Sequence, residues 1–482
     1  MKVLNPLRPS MRQRGRAWLA AAAVACAVAC AVVGPGAPAW AAPAEPAAVV
    51  DQAARVHTAT LPNGLTVIVQ PDRRAPTAVM MLWLRVGAMD ESDREAGVAH
   101  VLEHMMFKGT PRLAEGEYSR RVAALGGRDN AFTSRDVTVY HVQVPADALR
   151  EAMALEAERF AHNAWSAETL QRELAVIREE RRQRIEDEPQ ARFYEQFMAT
   201  ALLAHPYRRP VIGWMANLEA LDAATVRGFY QRWYAPNNAA LVVVGDVQPQ
   251  QVVAWAQQTF GARPARVLPA RAPDAEPEQR GLRRLQWHDR VRQPSVLLGW
   301  RVPKLHHPDD PSSEARDALA LALLAGVLDG HSAARLERAL VRTADPAARL
   351  ADNVSAGYDL SARGPALFLV SATVRPGVAP QQVEQALRAE IERIARDGVS
   401  AAELDRVRNQ WAAQQVFALD SPFAQARELG EHWALGWPLD ASARLLQRMP
   451  TITPADVQRV AQRYFGDATL TVGWLLPQED AR

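Results

Sequence analysis

Two histidines and a glutamate lie close together within residues 92–110, SDREAGVAHVLEHMMFKGT. His100 and His104 are four residues apart, so on a helix they project from one face with Glu103 beside them. Two imidazoles placed in this way can bind one Zn²⁺, and the nearby carboxylate can accept a proton from a water that the metal activates. The spacing is the reverse of the commoner HExxH arrangement. It indicates a zinc site with hydrolytic chemistry.

The segment that carries these residues predicts a single helix. Ser92 and Glu95 have the spacing of a capping box at its start, and Gly109 followed by Pro111 would end it. Taken alone, the five-residue pattern fits an ordinary amphipathic helix as well as a metal site. Apolar neighbours on nearly every side indicate that the helix is buried, and buried histidines and carboxylates need partners such as a metal ion.

The first 41 residues predict a secretory signal peptide. Basic residues precede an alanine- and valine-rich run at 17–33, and AWA at 39–41 has the small-x-small pattern of a cleavage site. A membrane anchor is one alternative, and a lipoprotein modified at Cys26 or Cys30 is another. We therefore expect export to the periplasm, with lipoprotein anchoring or release from the cell as the other possibilities.

Removal of this segment changes the chemistry available to the chain. Both cysteines of the sequence lie within it, so the mature protein has no thiol for a disulfide or for zinc. The segment holds five basic and no acidic residues, so its loss changes the formal net charge from +2 to −3. This balance does not favour nucleic-acid binding. No other segment is apolar enough to span a bilayer.

The remaining length predicts two domains. Residues 54–262 contain strands and helices without strict alternation, 263–281 form a proline-rich and charged linker, and 282–478 repeat the order of the first part. The clearest repeat aligns VRGFYQRWY at 226–234 with VQRVAQRYF at 457–465. The pattern predicts an α+β fold of two duplicated domains, each a largely antiparallel sheet packed with helices. The second copy lacks HxxEH, so only the first carries the metal chemistry.

A zinc site of this kind needs a third protein ligand from elsewhere in the first domain. The helical segment RELAVIREERRQRIEDE at 172–188 contains Glu173, Glu179, Glu180 and further acidic residues. The pattern alone does not distinguish among them, because a charged helix is usually a solvated face.

Several motifs in one order resemble the pitrilysin-type zinc peptidases. They are HVLEHMMFKGT, NAFTSRDVTVY from Asn130, RELAVIREERRQR from Arg172 and HPYRRPVIG from His205. The similarity covers essentially the whole mature chain and is strongest to the branch that includes bacterial homologues and the catalytic subunit of mitochondrial processing peptidase. It implies a zinc endopeptidase in which the two domains form half of a clamshell around short or unfolded peptides.

The resemblance also implies a role for each candidate residue. Glu180 becomes the third ligand of one Zn²⁺ per chain, Glu173 orients a ligand histidine, and Glu103 is the catalytic base. Helix geometry is consistent with this choice, since Glu173 and Glu180 share a face whereas Glu179 is rotated by about 100°. Another divalent metal is an alternative to zinc.

The resemblance places substrate binding on Asn130, Ala131 and Phe132. These residues correspond to an edge strand of the family, to which a peptide adds as an extra strand through backbone hydrogen bonds. The alternative is a plain strand end that follows a Gly-Gly turn.

One departure from the family pattern concerns the second half. Members that act as a single clamshell carry an arginine and a tyrosine seven positions apart there, whereas here Arg342 is followed at that distance by Arg349. Tyr358 is the nearest tyrosine. We therefore predict a heterodimer with a homologue that lacks HxxEH and supplies the Arg/Tyr pair, with a homodimer as the alternative. A non-catalytic scaffold subunit of the same fold is the competing function.

Overall fold

The computed structural model describes residues 55–271 and 276–478. The predicted signal peptide at 1–41 lies outside these residues, as does the central part of the predicted linker. The described strands form one sheet of six strands and one of five, both packed against helices, which confirms the predicted α+β class. In the described ranges, we find no helix with the length and apolarity required to cross a bilayer.

The first half of the chain builds the six-stranded sheet and the helices around it. Its strands and helices in chain order are β1 His57–Thr60, β2 Thr66–Pro71, β3 Thr77–Leu84, α1 Val98–Met105, α2 Glu117–Ala124, β4 Arg128–Thr133, β5 Thr138–Pro145, α3 Leu149–His162, α4 Ala167–Arg181, α5 Pro189–Ala201, α6 Met215–Ala220, α7 Ala223–Trp233, β6 Ala239–Gly245 and α8 Pro249–Phe260.

The second half builds the five-stranded sheet in the same manner. Its elements are β7 Arg283–Asp289, β8 Ser295–Val302, α9 Ser313–Asp329, β9 Ala351–Tyr358, β10 Ala366–Val374, α10 Pro380–Asp397, α11 Ala401–Ala418, α12 Pro422–Leu435, α13 Ala441–Arg448, α14 Pro454–Tyr464 and β11 Leu470–Pro477. A short π-helical segment, Arg182–Glu186, follows α4 in the first half, and a second one, Glu337–Val341, lies after α9 in the second half.

The two sheets share one strand order, which supports the predicted duplication. The first runs β1-β2-β6-β3-β5-β4 and the second β7-β11-β8-β10-β9, so β1 is the only addition among the described strands. Each sheet has one parallel pair, β2 with β6 and β7 with β11, and its other pairs are antiparallel. The helices α7 and α14, which carry the repeated nine-residue sequence, precede the equivalent strands β6 and β11.

Each half covers a face of the other half's sheet with one helix. Helix α12 packs against β3 and β6 of the first sheet, where Gly430 lies so close to Trp83 that a Cβ would overlap the indole ring. Helix α5 packs against the second sheet, where a Cβ on Gly473 would lie 2.7 Å from the ring of Phe193. This exchange explains why β3 and β6 are almost entirely buried, since both faces of the first sheet are covered.

The predicted helix over residues 92–110 is wrong at both ends. Helix α1 begins at Val98, because Gly97 has a left-handed φ of 95° that ends the preceding turn, and it finishes at Met105. Ser92 and Glu95 do not cap it. The buried carboxylate of Glu91 accepts hydrogen bonds from the backbone N–H groups of Gly97 and Ala99, both at 2.9 Å. An upstream side chain therefore provides the cap that the sequence pattern assigned to Ser92.

Candidate metal centre

Helix α1 is held rigidly beneath the candidate site. Five of its eight residues are buried in the hydrophobic core of the first half, which we call the first core. They are Val98, Ala99, Val101, Leu102 and Met105. Its start is fixed by close backbone packing, since a Cβ on Gly97 would lie 2.6 Å from the carbonyl oxygen of Ile212. Burial raises the pKa of Glu91 to about 8, and two backbone N–H groups keep its carboxyl group at the helix N-terminus.

The structure brings His100, His104 and Glu180 together. Oε2 of Glu180 lies 3.5 Å from Nε2 of His104 and 3.9 Å from Nε2 of His100, and one ligand atom from each residue lies within 4.8 Å of the others. The two imidazole rings are 4.7 Å apart between centroids. Ligand atoms of a tetrahedral zinc site with bonds of about 2.1 Å are separated by about 3.4 Å. These three side chains therefore fit a zinc ion in both chemistry and spacing.

The state of His100 also suits metal binding. Burial, followed by the charge of His104, lowers the pKa of His100 to about 3, so its ring is neutral and carries a lone pair. Its Nδ1 is buried and has no hydrogen-bond partner among the described residues. Its Nε2 faces Glu180.

Glu173 supports His104 from behind. Its Oε1 lies 2.8 Å from Nδ1 of His104, and its Oε2 lies 2.6 Å from the ammonium of Lys108. Burial alone would raise the pKa of Glu173, but the hydrogen bonds from these two partners hold it below its ordinary value. A carboxylate on Nδ1 fixes the ring orientation and keeps Nε2 available on the opposite side.

Helix α4 separates the acidic residues that the sequence pattern left unresolved. Glu180 is largely buried, and its Oε1 pairs with Arg184 at 2.7 Å while Oε2 faces the histidines. Glu179 is 55% exposed and pairs with Arg182 and Gln183 on the helix surface. Arg184 belongs to the π-helical segment that follows α4, an irregularity found frequently at functional sites.

Glu103 lies beside the candidate metal ligands His100 and His104 on helix α1. Its Oε2 accepts a hydrogen bond of 2.5 Å from the hydroxyl of Thr133, at the end of β4. Burial raises the pKa of Glu103, with the Thr133 hydrogen bond opposing that effect. A desolvated carboxylate of this kind can accept a proton and later return it.

Strand β4 carries Asn130, Ala131 and Phe132 at one margin of the first sheet. It pairs with β5 and is the last strand in the sheet order, so its other edge carries no strand among the described residues. Ala131 packs toward the first core, whereas Phe132 contacts Trp83 and His141 on the opposite face. The edge is geometrically open to an additional strand.

Sequence reasoning did not identify three residues that the structure places around the site. Thr133 and Lys108 lie within the quoted motifs, but only their contacts with Glu103 and Glu173 give them a role. Arg184 lies four residues after Glu180, a spacing that predicts an ion pair on any helix. The i to i+4 spacing could have identified Arg184, whereas the contacts of Lys108 and Thr133 depend on tertiary packing.

Comparison with known proteins identifies the family. The sequence model of the family described as Insulinase (Peptidase family M16) matches residues 66–213. The family model described as Peptidase M16 inactive domain matches residues 220–411. Zinc protease PqqE of Helicobacter pylori is 28% identical over 427 residues, which are 87% of this chain and 93% of that protein. The probable mitochondrial-processing peptidase subunit beta of Arabidopsis thaliana is 24% identical, over 89% and 80% of the two chains.

A solved structure agrees with these sequence matches. The crystal structure of a protease from Helicobacter pylori superimposes with a TM-score of 0.81 at 27% identity, and the match covers 88% of this chain and 99% of that one. The two family models follow one another along the chain, and the first of them contains the HxxEH helix. The chain belongs to the M16 family of insulinase- and pitrilysin-like zinc proteases.

Proposed function

We propose that the chain is a zinc-dependent endopeptidase that cleaves short or unfolded peptides. One observation carries the proposal: Nε2 of His100, Nε2 of His104 and Oε2 of Glu180 face one another at distances suited to a single zinc ion. The similarity to named zinc proteases over nearly the whole chain supports it. We assign one zinc ion per chain to these three side chains.

Each residue around the metal has a distinct task in the proposed reaction. Zinc, when bound, polarises the scissile carbonyl and lowers the pKa of a water molecule to about 7. Glu103 keeps Oε2 on the Thr133 hydroxyl, which leaves Oε1 to accept the proton of the attacking water and return it to the leaving amine. Glu173 holds His104 in the orientation that keeps Nε2 toward the metal.

We infer that the peptide binds as an additional strand on β4, along Asn130, Ala131 and Phe132. The open edge of β4 and its closeness to Glu103 through Thr133 support this position. Binding through backbone hydrogen bonds makes extended conformation the main requirement on the substrate. The domains at 54–262 and 282–478, joined by the linker at 263–281, would then form half of a chamber that admits only short or unfolded chains.

We further propose that this chain is the metal-bearing half of a heterodimer. Tyr358, the nearest tyrosine to the position that the family pattern requires, is held elsewhere: its hydroxyl donates to the carbonyl oxygen of Pro303 at 2.5 Å, and its ring stacks on Phe368. The guanidinium of Arg342 donates a hydrogen bond of 2.8 Å to the carboxylate of Glu337 on the surface. A partner that lacks HxxEH would supply the Arg/Tyr pair. The predicted signal peptide assigns the assembly to the periplasm.

Elemental analysis and cleavage of an unstructured peptide test the function. The experiment compares the chain alone, the chain mixed with a homologue from its host that lacks HxxEH, and each sample with a chelator. Glu103→Gln should lower kcat by about 10²–10⁴-fold while zinc stays bound, and Glu180→Gln should weaken zinc binding itself. Glu179→Gln, an exposed position on the same helix, is the matched control and should change neither.

Four outcomes would count against parts of the proposal. Cleavage by Glu103→Gln at the wild-type rate, or cleavage that a chelator does not affect, would refute the zinc mechanism. Full turnover by the chain alone would refute the heterodimer. Stoichiometric zinc without cleavage in any combination would favour the scaffold function.

A further inference from the structure

The hydroxyl of Thr133 makes an unusual contact for its hairpin. Its neighbours bond to backbone carbonyls: Ser134 Oγ donates to Val137 at 3.2 Å, and Thr138 Oγ1 donates to Val86 at 3.0 Å. Such bonds hold a turn and a strand in place. Thr133 Oγ1 instead donates to the carboxylate of Glu103 at 2.5 Å, 30 residues earlier in the chain. It joins the end of β4 to helix α1.

The backbone of Thr133 points toward the open edge of the sheet. Ser134 N donates to Val137 O across the hairpin, so the N–H of Ser134 faces the partner strand, while its carbonyl oxygen accepts from Ala88 N. Ala131 N donates to its neighbouring side-chain oxygen, Asn130 Oδ1, at 2.8 Å and therefore does not face β5. Because the direction of backbone polar groups alternates along a strand, Ala131 and Thr133 both direct their N–H and C=O groups to the open edge.

We propose that Thr133 is a positioning residue that links substrate binding to the catalytic base. Its backbone forms part of the edge to which the peptide adds, while its hydroxyl fixes the carboxylate of Glu103, and this role rests on the proposed peptidase function. One residue then sets the distance between the bound peptide strand and the base. Since the hydroxyl occupies Oε2, it also leaves Oε1 as the oxygen that accepts the proton.

Paired substitutions separate this role from a purely structural one. Thr133→Val keeps the side-chain shape and removes the hydroxyl, whereas Thr133→Ser keeps the hydroxyl. In the zinc-loaded protein, with its partner if turnover requires one, Thr133→Val should lower kcat by about 10–100-fold and leave KM within about twofold. Thr133→Ser should restore most of that loss. Thr58→Val, on the exposed strand β1, is the matched control and should not change the kinetics.

A second measurement uses the metal-free protein and does not depend on activity. In a double-mutant cycle, Thr133→Val should shift the melting temperature by about 2 °C when Glu103 is present and by much less in the Glu103→Ala background. Equal shifts in the two backgrounds, or wild-type kcat in Thr133→Val, would overturn the inference. Absence of zinc-dependent cleavage in the wild type would instead overturn the proposed function, so the two failures are distinguishable.

Discussion

The support that Glu173 gives to His104 predicts a measurable change in zinc affinity. Glu173→Gln retains an oxygen that can accept from Nδ1 of His104 and removes the negative charge 2.8 Å from that nitrogen. Both side chains are mostly shielded from solvent, with 24% of His104 and 10% of Glu173 exposed. The substitution therefore tests the electrostatic part of the support with little change in shape.

The expected magnitude follows from the distances. The substitution removes the attraction between the negative charge of Glu173 and the positive charge of the His104–zinc group. As a scale for this attraction, opposite unit charges about 4 Å apart attract by about 4 kcal/mol at an effective dielectric constant of about 20. Lys108, at 2.6 Å from the other carboxylate oxygen, takes up part of this attraction, and desolvation of the carboxylate offsets more. We expect a net loss of about 1.4–2.7 kcal/mol, which is a 10–100-fold weaker zinc affinity.

Competition with a chromophoric zinc chelator at constant pH measures this affinity directly. Glu179→Gln removes a charge from the same helix at a 55% exposed position and should leave zinc affinity within about twofold. Circular dichroism and melting temperature verify that both variants are folded. Zinc binding by Glu173→Gln as tight as that of the wild type would refute the reasoning, because the carboxylate would then contribute nothing beyond its shape.

Two further predictions concern stability. Arg363 of the second half donates two hydrogen bonds of 2.9 Å to the buried carboxylate of Asp90 in the first half. Arg363→Met should therefore lower the free energy of unfolding by about 3 kcal/mol, as measured by thermal unfolding. The control Arg280→Met, at an exposed ion pair, should lower it by less than about 0.5 kcal/mol. The hydrogen bond from Arg335 lowers the pKa of Glu403 from 4.5 to about 2. The Arg335–Glu403 pair should therefore stabilise the folded state by about 1–2 kcal/mol after solvent screening. This contribution is complete above pH 4.5 and is lost as the pH falls toward 2. The difference in melting temperature between wild type and Glu403→Gln should shrink over that range, and a constant difference would contradict the assignment.

The sequence predicts those parts of the site that depend on local periodicity. The spacing of His100, Glu103 and His104 specifies one helix face, and the structure places the two histidine rings next to each other. Glu180 lies 76 positions after His104, and no local pattern connects the two helices. Its selection over Glu179 required the family resemblance, and the structure separates the two by burial.

The boundaries of helix α1 show why other features were not predictable. A capping box is a local pattern, and Ser92 with Glu95 satisfied it. The actual cap comes from Glu91, whose side-chain oxygens reach the N–H groups of Gly97 and Ala99 only because the fold places the three residues together. Similarly, the apolar positions of α12 predict a buried face but not which sheet covers it. Tertiary packing decided both outcomes.

The packing of α5 against the second sheet gives the second half a structural role at the candidate site, although this half lacks HxxEH. Glu180 lies near the end of α4, and the next residue, Arg181, is buried and bonds to Glu195 on α5 at 2.8 and 3.0 Å. Helix α5 in turn packs its phenylalanines against the second sheet. Glu180, the proposed third ligand, is thus adjacent to a residue that is bonded to α5, and α5 is fixed by its packing against the second sheet. A half-domain with no metal chemistry of its own can therefore determine whether Glu180 reaches the two histidines, since ligand geometry must be accurate to a few tenths of an ångström.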